Sequence, residues 1–76
     1  MRTPKAQPIE IRDESIRLGQ LLKLASLAED GLQAKELIEH GLVKVNGDIE
    51  TRRGRQLRAG DVVEVNGEAV QIESAG

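Results

Sequence analysis

The feature that most constrains this chain is a change of period at Gly41. Upstream of it, Ala34, Leu37 and Ile38 recur at helical spacing, with Lys35, Glu36 and Glu39 on the wetter side. Downstream, Val43 and Val45 alternate with Lys44, and Asn46-Gly47 follows at once. Asn-Gly is the pair favoured by a two-residue hairpin turn, because both central residues take positive φ. Gly41 suits the helix end, where a left-handed residue without a Cβ costs least. A helix must therefore turn within a few residues into a tight hairpin, and the fold class is α+β.

The rest of the chain fits around that junction. Asp13 or Ser15 is placed to cap a first helix beginning near Ile16. Leu18, Leu21, Leu22 and Ala25 form its apolar stripe, while Arg17, Gln20 and Lys23 point elsewhere. Asp30 opens the second helix, with Gln33 three residues on as in a capping box. Few residues separate the two helices, so they must be neighbours. Ile9-Glu10-Ile11 alternates and reads as a short strand at a sheet edge. Ile49 begins the return strand of the first hairpin, and Leu57 is an apolar pin before the turn at Ala59-Gly60-Asp61. Val62 to Val65 and Ala69 to Ile72 flank a second Asn-Gly pair, Asn66-Gly67, and close the sheet. The expected architecture is two packed helices against a small, mostly antiparallel sheet. Residues 1–8, with Pro4 and Pro8, read as a flexible N-terminal arm, and residues 9–74 as a single domain.

Composition removes several kinds of chemistry. Phe, Tyr and Trp are absent, so the core must be Leu, Ile, Val and Ala, and no aromatic platform exists for stacking single-stranded bases. Cysteine is absent and His40 is the only histidine, which excludes thiolate chemistry and leaves no cluster with metal-ligand spacing. His40 suits a helix C-terminus, where the dipole favours a cation. No metal or other cofactor is expected. No apolar run approaches the roughly 18 residues of a membrane span, and the N-terminus has no signal-peptide pattern; a cytoplasmic protein without membrane attachment is expected.

Charge is unevenly distributed. Against a net charge of -2, four of the seven arginines fall within seven positions, Arg52 to Arg58. Lys44, Arg52, Arg53, Arg55 and Arg58 face only Asp48 and Glu50, a local balance of +3, whereas residues 59–76 carry four acids and no base. A ligand feels the local field rather than the net charge. Double-helical RNA is recognised through phosphates, 2′-hydroxyls and shape, which calls for cations on rigid elements. Lys35 and Lys44 are placed to line one side of a groove, and Arg52, Arg53 and Arg55 the other, with Arg58 beyond. Guanidinium forks suit phosphate oxygens. Bland explanations stand beside these. A run of charge is often a solvated face, Lys44 can be there for solubility, Lys35 can pair with Glu39, Asp30 suits a cap, and Asn46 suits its turn without any ligand.

The strings Ile16-Arg17-Leu18 with Leu21-Leu22, Ala34 through Gly47, and Gly60-Asp61-Val62-Val63-Glu64-Val65 resemble the alpha-L RNA-binding motif. That domain is named after the fourth protein of the small ribosomal subunit. The resemblance covers Ile16 to Val65, about 50 of the 76 residues, and is closest in kind to short stand-alone bacterial members. It implies that the helix pair and the following hairpin present one surface to structured RNA. Lys35 matches a basic family position on the second helix, Lys44 and Asn46 fall in the glycine-valine-asparagine-glycine segment, and Arg52, Arg53 and Arg55 match a basic, variable connection. Two positions depart: Asp30-Gly31 stands where many members have Ser-Arg, and Leu42 where many have His. Both departures shift the expected contacts toward the arginine-rich loop.

The function expected is noncatalytic binding of structured RNA, such as ribosomal or transfer RNA, through phosphate contacts by a monomer. The alternative is a protein-interaction accessory domain, ribosome-associated, whose acidic segment from Asp61 to Glu73 or whose edge strand meets a basic ribosomal protein. Catalysis is not expected. No nucleophile has a base at workable spacing, no glycine-rich phosphate loop is present, and no carboxylate pair has an acid–base partner.

Overall fold

In the computed structural model, residues 5–75 are described. Seven strands and two helices follow in the order β1 (Ala6–Ile11), β2 (Ile16–Arg17), α1 (Leu18–Leu24), α2 (Gly31–Glu39), β3 (Val43–Val45), β4 (Asp48–Ile49), β5 (Gln56–Leu57), β6 (Val62–Val65) and β7 (Glu68–Ser74). Five strands form the main sheet in the order β1-β7-β6-β3-β4, and β2 pairs with β5 in a separate two-stranded ladder. Only β1 against β7 is parallel; the other pairings are antiparallel. The expected α+β architecture, a helix pair with a mostly antiparallel sheet, is the one observed.

Apolar alternation sets the register. Val43 pairs with Val65 and Val45 with Val63, which in turn pairs with Val70, so the valines share the inner face. They meet Leu18, Leu21, Leu22 and Ile38 from the helices, and Leu57 from β5, in one cluster with no aromatic member. Leu18, Leu21, Leu22, Ile38, Val43, Leu57 and Val63 are fully buried. Both hairpins turn on Asn-Gly with positive φ at each residue, 53° and 89° at Asn46-Gly47 and 51° and 81° at Asn66-Gly67. That is the mirror-type turn whose twist matches the flanking strands.

The helix ends use two chemistries. Asp30 accepts from the N–H of Gln33 at 2.8 Å and caps α2. The reciprocal bond of the expected capping box closes one residue earlier, with Gln33 accepting from Glu29 rather than from Asp30. At its C-terminus, Gly41 takes φ 71°, its N–H donates to Ile38, and that of Leu42 donates to Leu37. This is the paired closure of a Schellman motif. The same pattern ends α1, where Ser26 donates to Lys23 and Leu27 to Leu22, but the left-handed residue is Ser26, φ 59°.

Two local expectations are corrected. The first helix begins at Leu18 rather than near Ile16, and neither Asp13 nor Ser15 caps it. Ile16-Arg17 is a strand instead, held by Leu57 and Gln56. The first N–H groups of α1 find distant carbonyls, Leu18 donating to Arg55 at 2.9 Å and Gly19 to Arg53 at 3.1 Å. A tertiary contact thus satisfies the donors that a side-chain cap would have taken. The arm expected over residues 1–8 is also shortened, because Ala6, Gln7 and Pro8 pair with Ala69, Val70 and Gln71. Pro8 is tolerated because β1 is an edge strand, as expected for Ile9 to Ile11. Residues 1–4 lie outside the described residues.

Candidate nucleic-acid interface

The arginine-rich loop is organised by an acid. Leaving β4, the chain anchors Glu50 through its N–H to the carbonyl of Val43 at 3.0 Å. Glu50 is only 6% exposed. It accepts from the N–H groups of Thr51 and Arg52, both at 3.0 Å. Arg52 adds a fork, Nε at 3.1 Å to one oxygen and Nη2 at 3.2 Å to the other, and Arg55 Nη1 donates at 3.0 Å. Burial alone would raise the Glu50 pKa. The Arg52 guanidinium, the Arg52 N–H and Arg55 outweigh it and hold the carboxyl at about 2. Arg52 is raised in return by the Glu50 hydrogen bond and charge. Two cations share one anion, so this corner keeps an excess positive charge. Arg52 is pinned although its side chain is 76% exposed.

Arg53 takes a different course. Its carbonyl receives the N–H of Gly19, which draws the loop against the start of α1. The approach is so close that a Cβ on Gly19 would stand 2.8 Å from Arg53 Cγ, and glycine is what permits it. Beside this contact lies an open cleft of about 310 Å³. Arg17 lines it from the end of β2, Gln20 and Lys23 from α1, Gly31 from the start of α2, and Arg53 and Gly54 from the loop. Three cations meet there and no carboxylate lines the cleft. The N-terminus of α2 beside Gly31 is already capped by the Asp30 carboxylate, which offsets the positive end of that helix, so the cations carry the field. Such a cleft concentrates an anion by field and offers guanidinium forks to hold it.

The other expected site residues are scattered. Lys44 is exposed between buried Val43 and Val45, so it stands on the sheet face away from the helices, opposite Glu64. Lys35 is exposed on α2, and its suggested ion pair with Glu39 is absent, since among the described residues ion pairs form only at Glu50. Asn46 spends its side chain on the fold: Nδ2 donates to Asp61 Oδ1 at 3.0 Å and Oδ1 accepts from the N–H of Val62 at 2.9 Å. Arg58 donates its backbone N–H to Asp61 Oδ2 at 2.8 Å and lines a different hollow together with Asp13 and Glu14. Burial would raise the Asp61 pKa, but the N–H of Arg58 and the Asn46 amide lower it overall. The anticipated single basic group therefore divides. Arg52, Arg53 and Arg55 stay together on one loop, whereas Lys44 and Arg58 go elsewhere.

The structure adds Arg17, Gln20 and Lys23 to the candidate site. Their spacing, 17, 20 and 23, did hold a signal, for steps of three keep residues on one side of a helix away from its apolar stripe. What that face meets depended on the loop about 30 residues away. Among the described residues, no group of His, Cys, Asp and Glu is placed to hold a metal ion.

A helix pair continuous with a β-hairpin, with a basic cleft beside the two helices, defines a small α+β module. The chain belongs to the S4-domain family, whose model matches residues 9–73. It is 48% identical over 62 residues to the "Probable ribosome maturation protein RlbA" of Bacillus subtilis, covering 82% of this chain and 87% of that one. It is 44% identical over 57 residues to YbcJ of Escherichia coli, with 75% and 81% coverage. The solution structure of YbcJ, described as revealing an alpha-L motif involved in RNA-binding, superposes with a TM-score of 0.69 at 35% identity, over 96% of this chain and 94% of that one. The 30S ribosomal protein S4e of Thermoplasma acidophilum matches with a TM-score of 0.61 at 28% identity, over 79% of this chain but 32% of its own.

Proposed function

We propose that this protein is a noncatalytic RNA-binding module that grips the phosphate backbone of structured RNA. The observation that carries this is the cleft where Arg17, Lys23 and Arg53 converge without a carboxylate, in a chain whose net charge is -2. Arg52 and Arg55 extend the same loop and supply further phosphate contacts. The absence of aromatic residues favours backbone and shape recognition over base stacking. The name of RlbA and the description of YbcJ support the same reading and make ribosomal RNA the first target to try. The protein works as a cytoplasmic monomer in this reading; no described helix is long and apolar enough to cross a membrane.

Lys35 and Lys44 serve as outlying contacts at most, and Asn46 and Arg58 as structural residues. The protein-interaction alternative keeps its edge strand, since β1 with Ile9 to Ile11 lies at the sheet edge, while β7 in the acidic segment is paired on both sides and would meet a partner through its side chains.

Fluorescence anisotropy across a salt series tests the proposal. An RNA stem-loop should bind with micromolar or tighter affinity, and log K should fall linearly with log salt at about 0.7–0.9 per phosphate contacted. Duplex DNA of equal length and an unstructured single strand should bind more weakly. Equal affinity for all three polymers would reduce the protein to a generic polyanion binder. No binding to structured RNA would end the proposal.

A further inference from the structure

Glu50 is an acid in the middle of a surface that needs cations, and it is the most elaborately bonded side chain of the loop. Simple electrostatics says that it should weaken RNA binding, since it cancels one positive charge where phosphates would approach. Its geometry says otherwise. One carboxylate oxygen accepts from the N–H groups of Thr51 and Arg52 and from Arg52 Nε, and the other from Arg52 Nη2 and Arg55 Nη1. Both arginine side chains and the backbone between β4 and the loop are thereby tied to one buried point. The same loop sends the carbonyls of Arg53 and Arg55 to Gly19 and Leu18, which seats Arg53 at the cleft.

We propose that Glu50 is a positioning residue for the RNA interface: an anion that raises affinity by holding Arg52 and Arg55 in place and fixing the loop that delivers Arg53. This rests on the RNA-binding reading above. A free arginine on an exposed loop samples many rotamers, and ordering it on binding costs affinity. Glu50 meets that cost during folding. It occupies part of the Arg52 fork, and the remaining guanidinium N–H groups stay available for a phosphate. The charge lost to neutralisation is smaller in effect than the order gained, because the pair is held in the free protein.

The proposal makes an inverted prediction. Glu50→Gln adds one unit of positive charge to the interface, so Coulomb attraction alone would tighten RNA binding. Positioning predicts the reverse, binding to a stem-loop weaker by about fivefold, the scale expected when a rotamer-rich side chain must be ordered on association. Glu50→Asp keeps the charge but shortens the reach and should weaken binding too. Circular dichroism checks that each variant is folded. In the wild-type protein, free of RNA, ¹⁵N relaxation at Arg52 Nε should show a side chain nearly as ordered as the backbone, unlike exposed Arg12. That measurement stands even where a variant fails to fold. Tighter binding by a folded Glu50→Gln, or an Arg52 Nε as mobile as that of Arg12, overturns the positioning role. Failure of the wild-type protein to bind any stem-loop instead overturns the RNA-binding reading itself.

Discussion

Two groups of cations sit within one loop's reach of each other and are treated in opposite ways. Arg52 and Arg55 are bound to a buried carboxylate, and their loss would leave Glu50 with only the backbone N–H groups of Thr51 and Arg52. Arg17, Lys23 and Arg53 line a cleft that no carboxylate enters. The first group is ordered by the protein for itself, so its charge supports the fold before it supports any ligand. The second has no carboxylate partner among the described residues, so its charge remains unneutralised for a ligand. A count of arginines in a sequence cannot separate these roles, because both use the same residue type.

Mutations should separate them. The largest effect on binding is expected from Arg17→Ala combined with Arg53→Ala: affinity for a stem-loop should fall by more than about tenfold and the salt slope should become shallower by about two. Thermal stability should change little, because neither side chain is paired with an acid among the described residues. Arg55→Ala should show the opposite balance. It removes a charge-assisted bond from a buried carboxylate and should cost about 1–3 kcal/mol in urea unfolding, with a smaller loss of RNA affinity. Equal stability losses for the two variants would erase the distinction between the groups.

Acid titration sharpens the same contrast. The Glu50 carboxyl is held at about 2, below its ordinary 4.5. A lowered folded pKa gives stability that is fully present above 4.5 and is lost as pH falls toward 2. Urea midpoints followed by circular dichroism should decline over that window, and Glu50→Gln should flatten the decline. The smallest effect is expected at the end of α1, where Ser26 donates its N–H to the carbonyl of Lys23. Ser26→Gly relieves a non-glycine residue in the left-handed region and should stabilise by about 0.5–1 kcal/mol, with unchanged RNA affinity. A change in binding there would show that the closure of α1 helps to place Lys23 at the cleft.

Much of the fold was legible because its signals are short-ranged. The helical stripe of Ala34, Leu37 and Ile38, the Gly41 terminus, the Asp30 cap and the two Asn-Gly turns each depend on residues a few positions apart. The start of α1 was misplaced because its first N–H groups are satisfied from Arg53 and Arg55, a closure that no local pattern announces. The serine at its left-handed C-terminus broke the glycine rule that had worked at Gly41. In the candidate site the importance of the 52–55 loop was readable from charge density, but its internal division was not.

The sequence by itself determined the class of the domain, an aromatic-free α+β core with a helix leading into a hairpin, because periodicity and turn chemistry act between near neighbours. It also determined that positive charge would gather after β4. Only the tertiary structure decided which cations are neutralised, by burying Glu50 against Val43 beneath Arg52 and Arg55. It alone brought Arg17 and Lys23 beside Arg53, through a glycine that lets two distant segments touch. Electrostatic roles depend on distance and solvent exposure, and both are fixed when the chain folds.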